Sequence, residues 1–474
     1  MIFGTAPKNL GYPGTMPGFD RYSAIPAVET LPEYRPTVPE PLLATGYKLA
    51  PDGKSMTLTL RKGVKFHDGT DFDAEAVKFN LDLWKKELRP ELQQIVSIDV
   101  LDSYTVRLNL SQYDNSLPYD LATAAGQIVS PTAIKTKGKD WAIKNPVGTG
   151  PFKFTSYDQD VKLKYQRFED YWQKGKPYLD AIEISYVSNS STAAAALQAG
   201  QSDLMWGSGS LNPKLPDDLK QKGLNVATIE STIAYLLPDS KNTDSPFAKK
   251  DVREAVEYAI DRQAIVKALS YGIWQAANQP VPPGFPWENP DIKGRAFNQD
   301  KARQLLADAG YAKGFETSIK GPSSSTNKDA VTAIQNYLSQ VGIKAQIDLL
   351  DSGAWTDVQK KGWKNAIVFS VLAGSPGNYG ANVRRELPAD YTMYPSVLRA
   401  PGYEAALVAT TSAFDFDTQK KASQALSKFM YDDAMITPLW STKIFAAKQP
   451  TVRDDYHATW LHLYWRPGDA WLSK

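Results

Sequence analysis

The chain has 474 residues, which is too long for one compact core and predicts about three structural units of roughly 150 residues each. Hydrophobic residues make up 42% and charged residues 22%, ordinary globular values that exclude disordered, collagen-like and membrane-bundle proteins. The 54 basic and 52 acidic side chains give a net charge of +2, which argues against a phosphate-tracking surface and predicts no nucleic-acid partner. Because the sequence has no cysteine, disulfides, thiol catalysis and cysteine-ligated metals are excluded.

Two further features bear on location and on the type of site. No apolar run reaches the roughly 18 residues that a membrane-spanning helix needs, and Met1 to Gly14 lacks the charged-then-apolar pattern of an export signal. Either a cytosolic protein or an exported chain whose signal has been removed fits this start. The 12 tryptophans and 24 tyrosines fit core packing, and they also fit an aromatic-lined ligand cleft.

The first strongly patterned elements are a hairpin and a helix. Met56 to Leu60 alternates apolar and polar residues as a half-buried strand does, Val64 to Phe66 continues it after a break, and Asp68-Gly69 predicts a tight turn. Asp73 is predicted to cap a helix, because an aspartate side chain accepts a hydrogen bond from the first turn. The buried face of this helix is predicted to contain Val77, Leu81 and Trp84.

Strands and helices continue to alternate in the rest of the chain. Ala181 to Val187 and Ile343 to Leu349 are predicted strands, since apolar and polar residues alternate in both. The strongest helical pattern is Asp251 to Ile260, which has an apolar stripe and a capping-box pattern of Asp251 with Glu254. The order of elements predicts a mixed α/β fold.

Motifs for catalysis and cofactor binding are weak. Gly148 to Pro151 (GTGP) is predicted to be a structural turn, because its proline and the following strand cannot open a phosphate-binding helix. His67 is predicted to be a structural polar residue, while His457 and His462 would bind a metal only with a remote third ligand. Nothing singles out a pair among the 52 acids for glycoside hydrolysis. The sequence therefore predicts no catalytic residue, no metal and no cofactor.

Several sequence blocks are typical of one family when they are taken in order. They are LRKGVKFHDG at Leu60 to Gly69, NPVGTGPFKF at Asn145 to Phe154, LQAGQSDL at Leu197 to Leu204, and VREAVEYAIDRQAIVKA at Val252 to Ala268. With these blocks the chain resembles the extracellular solute-binding proteins of family 5, the dipeptide, oligopeptide and nickel receptors of ABC importers. Blocks similar to the family extend over nearly the whole chain.

The resemblance implies a two-lobed α/β fold of the type II periplasmic-binding-protein kind, a clam-shell with an extra inserted subdomain in its first lobe. The implied boundaries are 1–37, 146–235 and 440–474 for the first-lobe sheet domain, 38–145 for the inserted subdomain, and 236–439 for the second lobe, which closes over the ligand. Ligand capture would drive hinge closure. The implied protein is a monomeric receptor outside the cytoplasm, periplasmic or tethered to the cell membrane, which delivers its ligand to an ABC permease.

One segment departs from the peptide receptors of this family. Those receptors typically hold the ammonium group of the ligand with an aspartate of the second lobe, whereas the corresponding segment here, Phe369 to Tyr379 (FSVLAGSPGNY), contains no acid. Asp and Glu are absent from Val358 through Arg385, and burying an ammonium without an anion would cost several kcal/mol. An ordinary peptide with a free N-terminus is therefore not the expected ligand. Arg384 and Arg385 follow this segment and fit either an anionic ligand group or a solvated surface.

The expected binding residues combine the implied topology with side-chain chemistry. A set that supplies neutral hydrogen bonds and aromatic stacking consists of Thr5, Ala6, Trp206, Trp363, Ser375, Asn378 and Tyr379, with Trp355 and Trp440 as weaker candidates. This set favours a saccharide, an opine-like conjugate, or an aromatic acid, amide or hydrazide as the ligand. A dipeptide or oligopeptide receptor with a relocated anchor is the alternative, and a glycoside hydrolase is the alternative from another class.

Overall fold

The structure separates into two compact units. The computed structural model describes residues 1–16, 20–35, 38–87, 90–208, 212–373, 378–454 and 465–474. Unit 1 contains Met1–Gly207, Asp218–Ile229 and Phe445–Lys474, and unit 2 contains Ser208–Asp217 and Glu230–Ile444. The three-part division, with its inserted subdomain at 38–145, stays a prediction.

Strands and helices alternate along the chain, as the sequence pattern predicts. Over the described residues the strands are β1 (Ile2–Phe3), β2 (Pro32–Glu33), β3 (Glu40–Pro41), β4 (Ala44–Leu49), β5 (Ser55–Leu60), β6 (Ile95–Asp102), β7 (Thr105–Leu110), β8 (Phe152–Asp158), β9 (Lys162–Arg167), β10 (Ala181–Tyr186), β11 (Leu204–Ser208), β12 (Asn225–Pro238), β13 (Trp274–Ala276), β14 (Phe315–Pro322), β15 (Ile343–Leu350), β16 (Ala366–Ala373), β17 (Thr437–Lys448), β18 (Val452–Arg453) and β19 (Trp471–Leu472).

The helices have the following bounds over the same residues: α1 (Arg21–Ala24), α2 (Ala74–Lys86), α3 (Leu117–Leu121), α4 (Pro131–Lys137), α5 (Lys139–Lys144), α6 (Ser190–Gln198), α7 (Leu215–Gln221), α8 (Lys250–Ala259), α9 (Arg262–Leu269), α10 (Gln299–Asp308), α11 (Lys328–Ser339), α12 (Ser352–Lys361), α13 (Tyr379–Glu386), α14 (Tyr403–Thr411) and α15 (Phe416–Asp432). Short 3-10 turns lie at Pro90–Leu92, Ala124–Gly126 and Pro246–Ala248. Within the described part of the chain, no helix is both long enough and apolar enough to cross a membrane.

The main sheet of unit 1 has the strand order β11-β1-β10-β9-β8. The strand β1 runs parallel to β10 and β11, whereas β9 is antiparallel to both of its neighbours. In β10, Ile182 and Ile184 are buried while Glu183 between them is exposed. This alternation confirms the strand predicted at Ala181 to Val187, which ends one residue earlier at Tyr186.

A second, antiparallel sheet of unit 1 has the order β4-β5-β7-β6 and packs against α2. The predicted strand at Met56 to Leu60 is confirmed within β5. The predicted cap is also confirmed, because the Asp73 carboxylate accepts a hydrogen bond from the Ala76 amide, and Val77, Leu81 and Trp84 are buried. The prediction that Val64 to Phe66 forms a strand was wrong, since this segment makes just an isolated bridge between Lys65 and Asp71.

The sheet of unit 2 has the order β15-β14-β16-β12-β17. The strand β14 is parallel to β15 and β16, while β12 is antiparallel to β16. The predicted strand at Ile343 to Leu349 is confirmed as β15, and the apolar stripe of α8 is buried. The predicted capping box at Asp251 was wrong. The helix begins one residue earlier, so Lys249 occupies the N-cap position without a side-chain cap and Asp251 lies in the first turn.

Unit 2 also buries a charge network beside α8. Glu257 is 1% exposed, and its two carboxylate oxygens receive Nη1 of Arg295 at 2.8 Å and Nη1 of Arg262 at 3.4 Å. Nη2 of Arg295 lies 2.9 Å from Oε1 of Glu254. Each buried guanidinium of this network therefore has a carboxylate partner, which offsets much of the cost of removing the charges from water.

Candidate functional site

Unit 1 contains a polar cavity of about 310 Å³. Its wall is built by α1 and the turn after it, the β2–β3 hairpin, the segment around Tyr171, and the chain just after residue 464. Eight charged side chains line it, namely Arg21, Glu29, Glu33, Glu40, Arg61, Lys176, Arg466 and Asp469. A cavity this polar within a folded unit is a candidate site for a polar ligand, since ligand pockets begin at roughly 300 Å³.

Glu29 is the most buried acid in the wall, with 7% of its surface exposed. Its Oε2 accepts a hydrogen bond from Oγ1 of Thr149 at 2.7 Å, and its Oε1 accepts one from the Tyr171 hydroxyl at 2.7 Å. Nε1 of Trp172 donates to both carboxylate oxygens, at 3.0 and 3.2 Å. Three neutral donors thus hold this carboxyl in one orientation. Because the partners lie 120 to 143 residues away, local sequence does not reveal the cluster.

Two glycines place Thr149 against Glu29. A Cβ atom on Gly148 would lie 2.1 Å from the carbonyl oxygen of Ala27, and one on Gly150 would lie 2.6 Å from that of Pro26. Both distances are shorter than any tolerable contact, so only glycine lets this segment approach the backbone before Glu29. The predicted structural turn at Gly148 to Pro151 therefore also places the Thr149 hydroxyl within hydrogen-bond distance of Glu29.

Burial raises the pKa of the Glu29 carboxyl from 4.5 to about 7, although the hydrogen bonds from Thr149, Trp172 and Tyr171 oppose the rise. The nearby carboxylate of Glu33 adds to the rise. Glu29 therefore changes its charge close to neutral pH. Below that pH it presents a neutral carboxyl to the cavity, and above it a carboxylate.

The remaining acids of the wall form ion pairs. Arg466 donates to Glu33 through Nε at 2.6 Å and Nη2 at 2.7 Å, a two-point contact that fixes the guanidinium plane. Arg35 lies 2.9 Å from Glu33 and 2.7 Å from Glu40. Asp469 pairs with Lys176 and lies 3.7 Å from Arg466. These pairs tie the hairpin β2–β3 to the C-terminal segment along one side of the cavity.

Two arginines of the wall differ from this pattern. Arg21 is 4% exposed, and its Nη2 is buried with no hydrogen-bond partner among the residues that the structure describes. Its guanidinium lies 4.8 Å from the ring centre of Tyr22. Arg61 is half-buried, stacks 4.3 Å above the Trp172 ring, and donates from Nε to the carbonyl oxygen of Leu42. Neither guanidinium has an ion pair with a carboxylate in the described residues.

The predicted binding residues of unit 1 lie near the end of β1. Thr5 is exposed and Ala6 is partly exposed just after this strand. Trp206, in the neighbouring strand β11, packs its ring 4.7 Å from that of Phe3 and 5.4 Å from that of Tyr22. Tyr22 follows Arg21 directly in the chain. Trp206 therefore contacts the neighbour of a residue that lines the cavity. A ligand contact by these three residues stays a prediction.

The predicted binding residues of unit 2 are mostly packed into its core. Trp363 is buried, and its indole nitrogen donates to the carbonyl oxygen of Ala366. Tyr379 is buried in the same hydrophobic core of unit 2 as Trp363. Burial raises the pKa of the Tyr379 hydroxyl well above its ordinary value. Asn378 caps α13 by accepting a hydrogen bond from the Ala381 amide. All three side chains therefore contribute to packing or helix capping in unit 2. A ligand contact by them stays a prediction.

The other candidates are divided between the core, the surface and the part of the chain outside the description. Ser375, like His457 and His462, lies outside the described residues. Trp440 is fully buried and stacks on Trp274 at 5.2 Å. Trp355 is partly buried and meets the Tyr394 ring edge-on. Arg385 is mostly exposed and donates to the amide oxygen of Asn382, which fits the surface interpretation for Arg385, while Arg384 is partly buried.

The described residues hold no cluster of three or more metal-ligating side chains of the His, Cys, Asp and Glu types. His67 is buried, its Nε2 lies 2.9 Å from the carbonyl oxygen of Gly150, and burial lowers its pKa to about 4. The prediction of a structural histidine is therefore confirmed. Its neutral ring braces the same Gly148 to Pro151 turn that carries Thr149.

Comparisons with known proteins place this architecture in a family. The sequence profile described as "Bacterial extracellular solute-binding proteins, family 5 Middle" matches residues 38–383. The chain belongs to this family. Family 5 proteins are extracytoplasmic solute receptors of ABC importers, so the predicted recognition and receptor class are confirmed, and the glycoside hydrolase alternative finds no support.

The chain is similar in sequence or in fold to several known members of the family. The glutathione-binding protein GsiB of Salmonella paratyphi A is 35% identical over 350 residues, which cover 72% of this chain and 67% of that protein. The periplasmic binding protein DppA of Helicobacter pylori, solved with the peptide STSA, is 25% identical with a TM-score of 0.81, covering 100% of this chain and 97% of that one. HbpA2 of Haemophilus parasuis has a TM-score of 0.84 at 22% identity, covering 100% and 99%. The predicted α/β fold class of type II binding proteins is therefore confirmed.

Sequence reasoning missed the residues that line the cavity of this receptor. Arg21 and Glu29 lie in no motif, Arg61 lies in the LRKGVKFHDG block but was given no role there, and Thr149 was assigned to a turn without a contact. Tyr171 and Trp172 form an aromatic pair that could have been noticed as a source of two polar donors. Their shared acceptor, however, is set by tertiary packing, since Glu29 precedes them by more than 140 residues.

Proposed function

We propose that this receptor captures a small polar solute and delivers it to a membrane permease, with the cavity of unit 1 forming part of the binding surface. The observation that carries this proposal is the 310 Å³ cavity with eight charged side chains in its wall. Burying so many charges near a cavity is costly unless they serve recognition or pair with each other. The volume supports a small molecule rather than a long peptide.

The proposed ligand class is a short peptide-like or conjugated acid. GsiB is named as a glutathione-binding protein, and DppA was solved with a four-residue peptide, so compounds with amide and carboxylate groups come first. The acid-free segment from Val358 through Arg385 supports a ligand whose ammonium group is not held there. Opine-like conjugates and aromatic acids share the carboxylate, whereas saccharides and neutral amides lack it.

A peptide receptor with a relocated anchor is the second candidate. One observation favours it, because Glu29 supplies a carboxyl in the cavity wall although the usual segment has none. Its three neutral donors leave it without a cationic partner in the described residues. A ligand ammonium at this carboxyl would supply one. Thr5, Ala6 and Trp206 are proposed as further contacts, and Ser375, Asn378, Tyr379 and Trp363 remain weaker proposals.

The test is a calorimetric and thermal-shift screen of the purified chain. The panel contains glutathione, dipeptides, an opine, aromatic acids with their amides and hydrazides, and oligosaccharides. A ligand at about 100 times its dissociation constant adds roughly 2.7 kcal/mol to the stability of the folded state, which raises the melting temperature measurably. We expect a hit among the short peptide-like acids. A panel without any hit, followed by no ligand-dependent stimulation of the ATPase of the cognate permease, would overturn the proposed function.

A further inference from the structure

The charges around the cavity of unit 1 are not all paired with each other. Three of the four acids in the wall are used in ion pairs, since Glu33 and Glu40 share Arg35 and Arg466, and Asp469 pairs with Lys176. The fourth acid, Glu29, is held by neutral donors. Two cations of the wall, Arg21 and Arg61, have no acid partner in the part of the chain that the structure describes. The four cations and four acids of the wall balance in formal charge, but their pairing leaves two guanidiniums without an acid partner among the described residues.

Arg21 is the more informative of these two cations. Only 4% of its surface is exposed, and its Nη2 makes no hydrogen bond to any described residue. A guanidinium remains charged at every accessible pH, so it cannot avoid the cost of burial by losing a proton. A buried charge without a partner is unfavourable by itself. The side chain lines the cavity, so an anion in that cavity would supply the missing partner.

From this geometry we infer that Arg21 anchors an anionic group of the transported solute, and that the solute carries a carboxylate. The inference rests on the proposed solute-receptor function and narrows its ligand class. A guanidinium matches a carboxylate with two parallel hydrogen bonds, so Arg21 selects for planar anions over neutral amides and sugars. Arg61, stacked on Trp172, adds a second positive charge to the same wall.

The experiment uses matched probes on the full chain. Succinate and its neutral analogue succinamide are compared by thermal shift at equal ionic strength and pH 7.5. Glutathione and its diethyl ester are compared by calorimetry. The proteins are the wild type, Arg21→Gln, Arg21→Lys and the control Arg303→Gln. Arg303 is an exposed arginine of α10 that pairs with Asp300 in unit 2, outside the cavity.

We expect the wild type and the Arg303→Gln control to prefer the acid over its neutral analogue. Arg21→Gln should bind the acid about tenfold to hundredfold more weakly, the usual loss for a hydrogen bond to a charged group, and should no longer prefer it. Arg21→Lys should keep part of the preference, because the charge remains while the two-point geometry is lost. The ligand-free melting temperature of Arg21→Gln should be equal to or above that of the wild type, since an uncompensated charge has been removed.

Two results would overturn this inference. The first is an equal response of wild type and Arg21→Gln to succinate, including no response by either. The second is a large drop in the ligand-free melting temperature of Arg21→Gln, which would show that Arg21 holds the fold together. If neutral ligands of the broader panel bind and Arg21→Gln leaves them unaffected, the receptor function stands while the anion anchor fails. The two proposals are therefore tested separately.

Discussion

Unit 1 and unit 2 both bury charged side chains, but they satisfy these charges differently. In unit 2, Glu257 is enclosed between Arg262 and Arg295, and the network is complete without a ligand. In unit 1, Glu29 meets neutral donors while Arg21 has no carboxylate partner in the described residues, and both line a cavity. A closed network offsets much of the cost of burying its own charges, whereas an incomplete one beside a cavity retains part of that cost. On the proposed function, this difference in pairing distinguishes charges that serve the fold from charges that contact the ligand.

The largest expected effect lies in the closed network. Replacing Arg295 by leucine (Arg295→Leu) leaves Glu254 without this partner and Glu257 with Arg262 alone, so the free energy of unfolding should fall by about 3–5 kcal/mol. Urea denaturation followed by circular dichroism measures it. The matched control Arg303→Gln removes an exposed ion pair of the same unit and should cost less than about 1 kcal/mol. If both variants lose the same free energy of unfolding, the buried network contributes no more to stability than an exposed ion pair.

A second effect concerns the pH dependence of unit 1. The pKa of Glu29 is raised from 4.5 to about 7 in the folded state, so folding favours the neutral carboxyl. Its contribution to stability is fully present below about pH 4.5 and is lost as the pH rises through about 7, by roughly 3 kcal/mol in total. Glu29→Gln should therefore show less loss of stability than the wild type over this range. Denaturation curves at several pH values test this, and parallel curves for both proteins would contradict it.

A smaller loss is expected from one donor of the Glu29 cluster. Thr149→Val keeps the shape of the side chain and removes the hydrogen bond to Glu29, which should cost about 1–2 kcal/mol because the site is buried. Thr155 offers a matched control, since its exposed hydroxyl donates to the carbonyl oxygen of Lys164. Thr155→Val should change stability by less than about 0.5 kcal/mol. Similar costs at both positions would show that the cluster has no special role.

The smallest expected effect on stability is at Arg61. Arg61→Gln removes the stacking on Trp172 and the hydrogen bond to Leu42, and should cost about 1 kcal/mol since the side chain is half-buried. The same variant should weaken the response to succinate less than Arg21→Gln does. Arg107→Gln, which breaks an exposed pair with Asp99, is the control. A larger loss of succinate binding in Arg61→Gln than in Arg21→Gln would make Arg61 the main anchor.

Local elements of the fold were predictable where the deciding contacts lie within a few residues. Asp73 caps its helix through an amide three residues away, and the stripe of α8 follows from its 3.6-residue period. The capping box at Asp251 failed because the helix already begins at Lys250, which places Asp251 in the first turn and Lys249 at the N-cap. Boundaries of this kind depend on the segment before the helix, which the local pattern does not include.

The candidate site was much less predictable. Trp363 and Tyr379 were expected to face a ligand because aromatic side chains line clefts, yet the same side chains fill cores, and here both lie in the core of unit 2. Glu29 and Arg21 were missed because their importance comes from what surrounds them. A glutamate held by Thr149 and Tyr171 has partners 120 and 142 residues away in sequence. No local pattern encodes such distances.

The sequence by itself determined the α/β class, the family and the exclusion of cysteine chemistry, because these follow from composition, short-range periodicity and ordered blocks such as LRKGVKFHDG. Only the tertiary structure decided which charges are paired. Hydrogen bonds and ion pairs depend on distances of about 3 Å between segments that folding brings together. For that reason Glu257 and Arg21 read alike as charged residues in the sequence, while packing makes one part of a closed network and the other a cation facing a cavity.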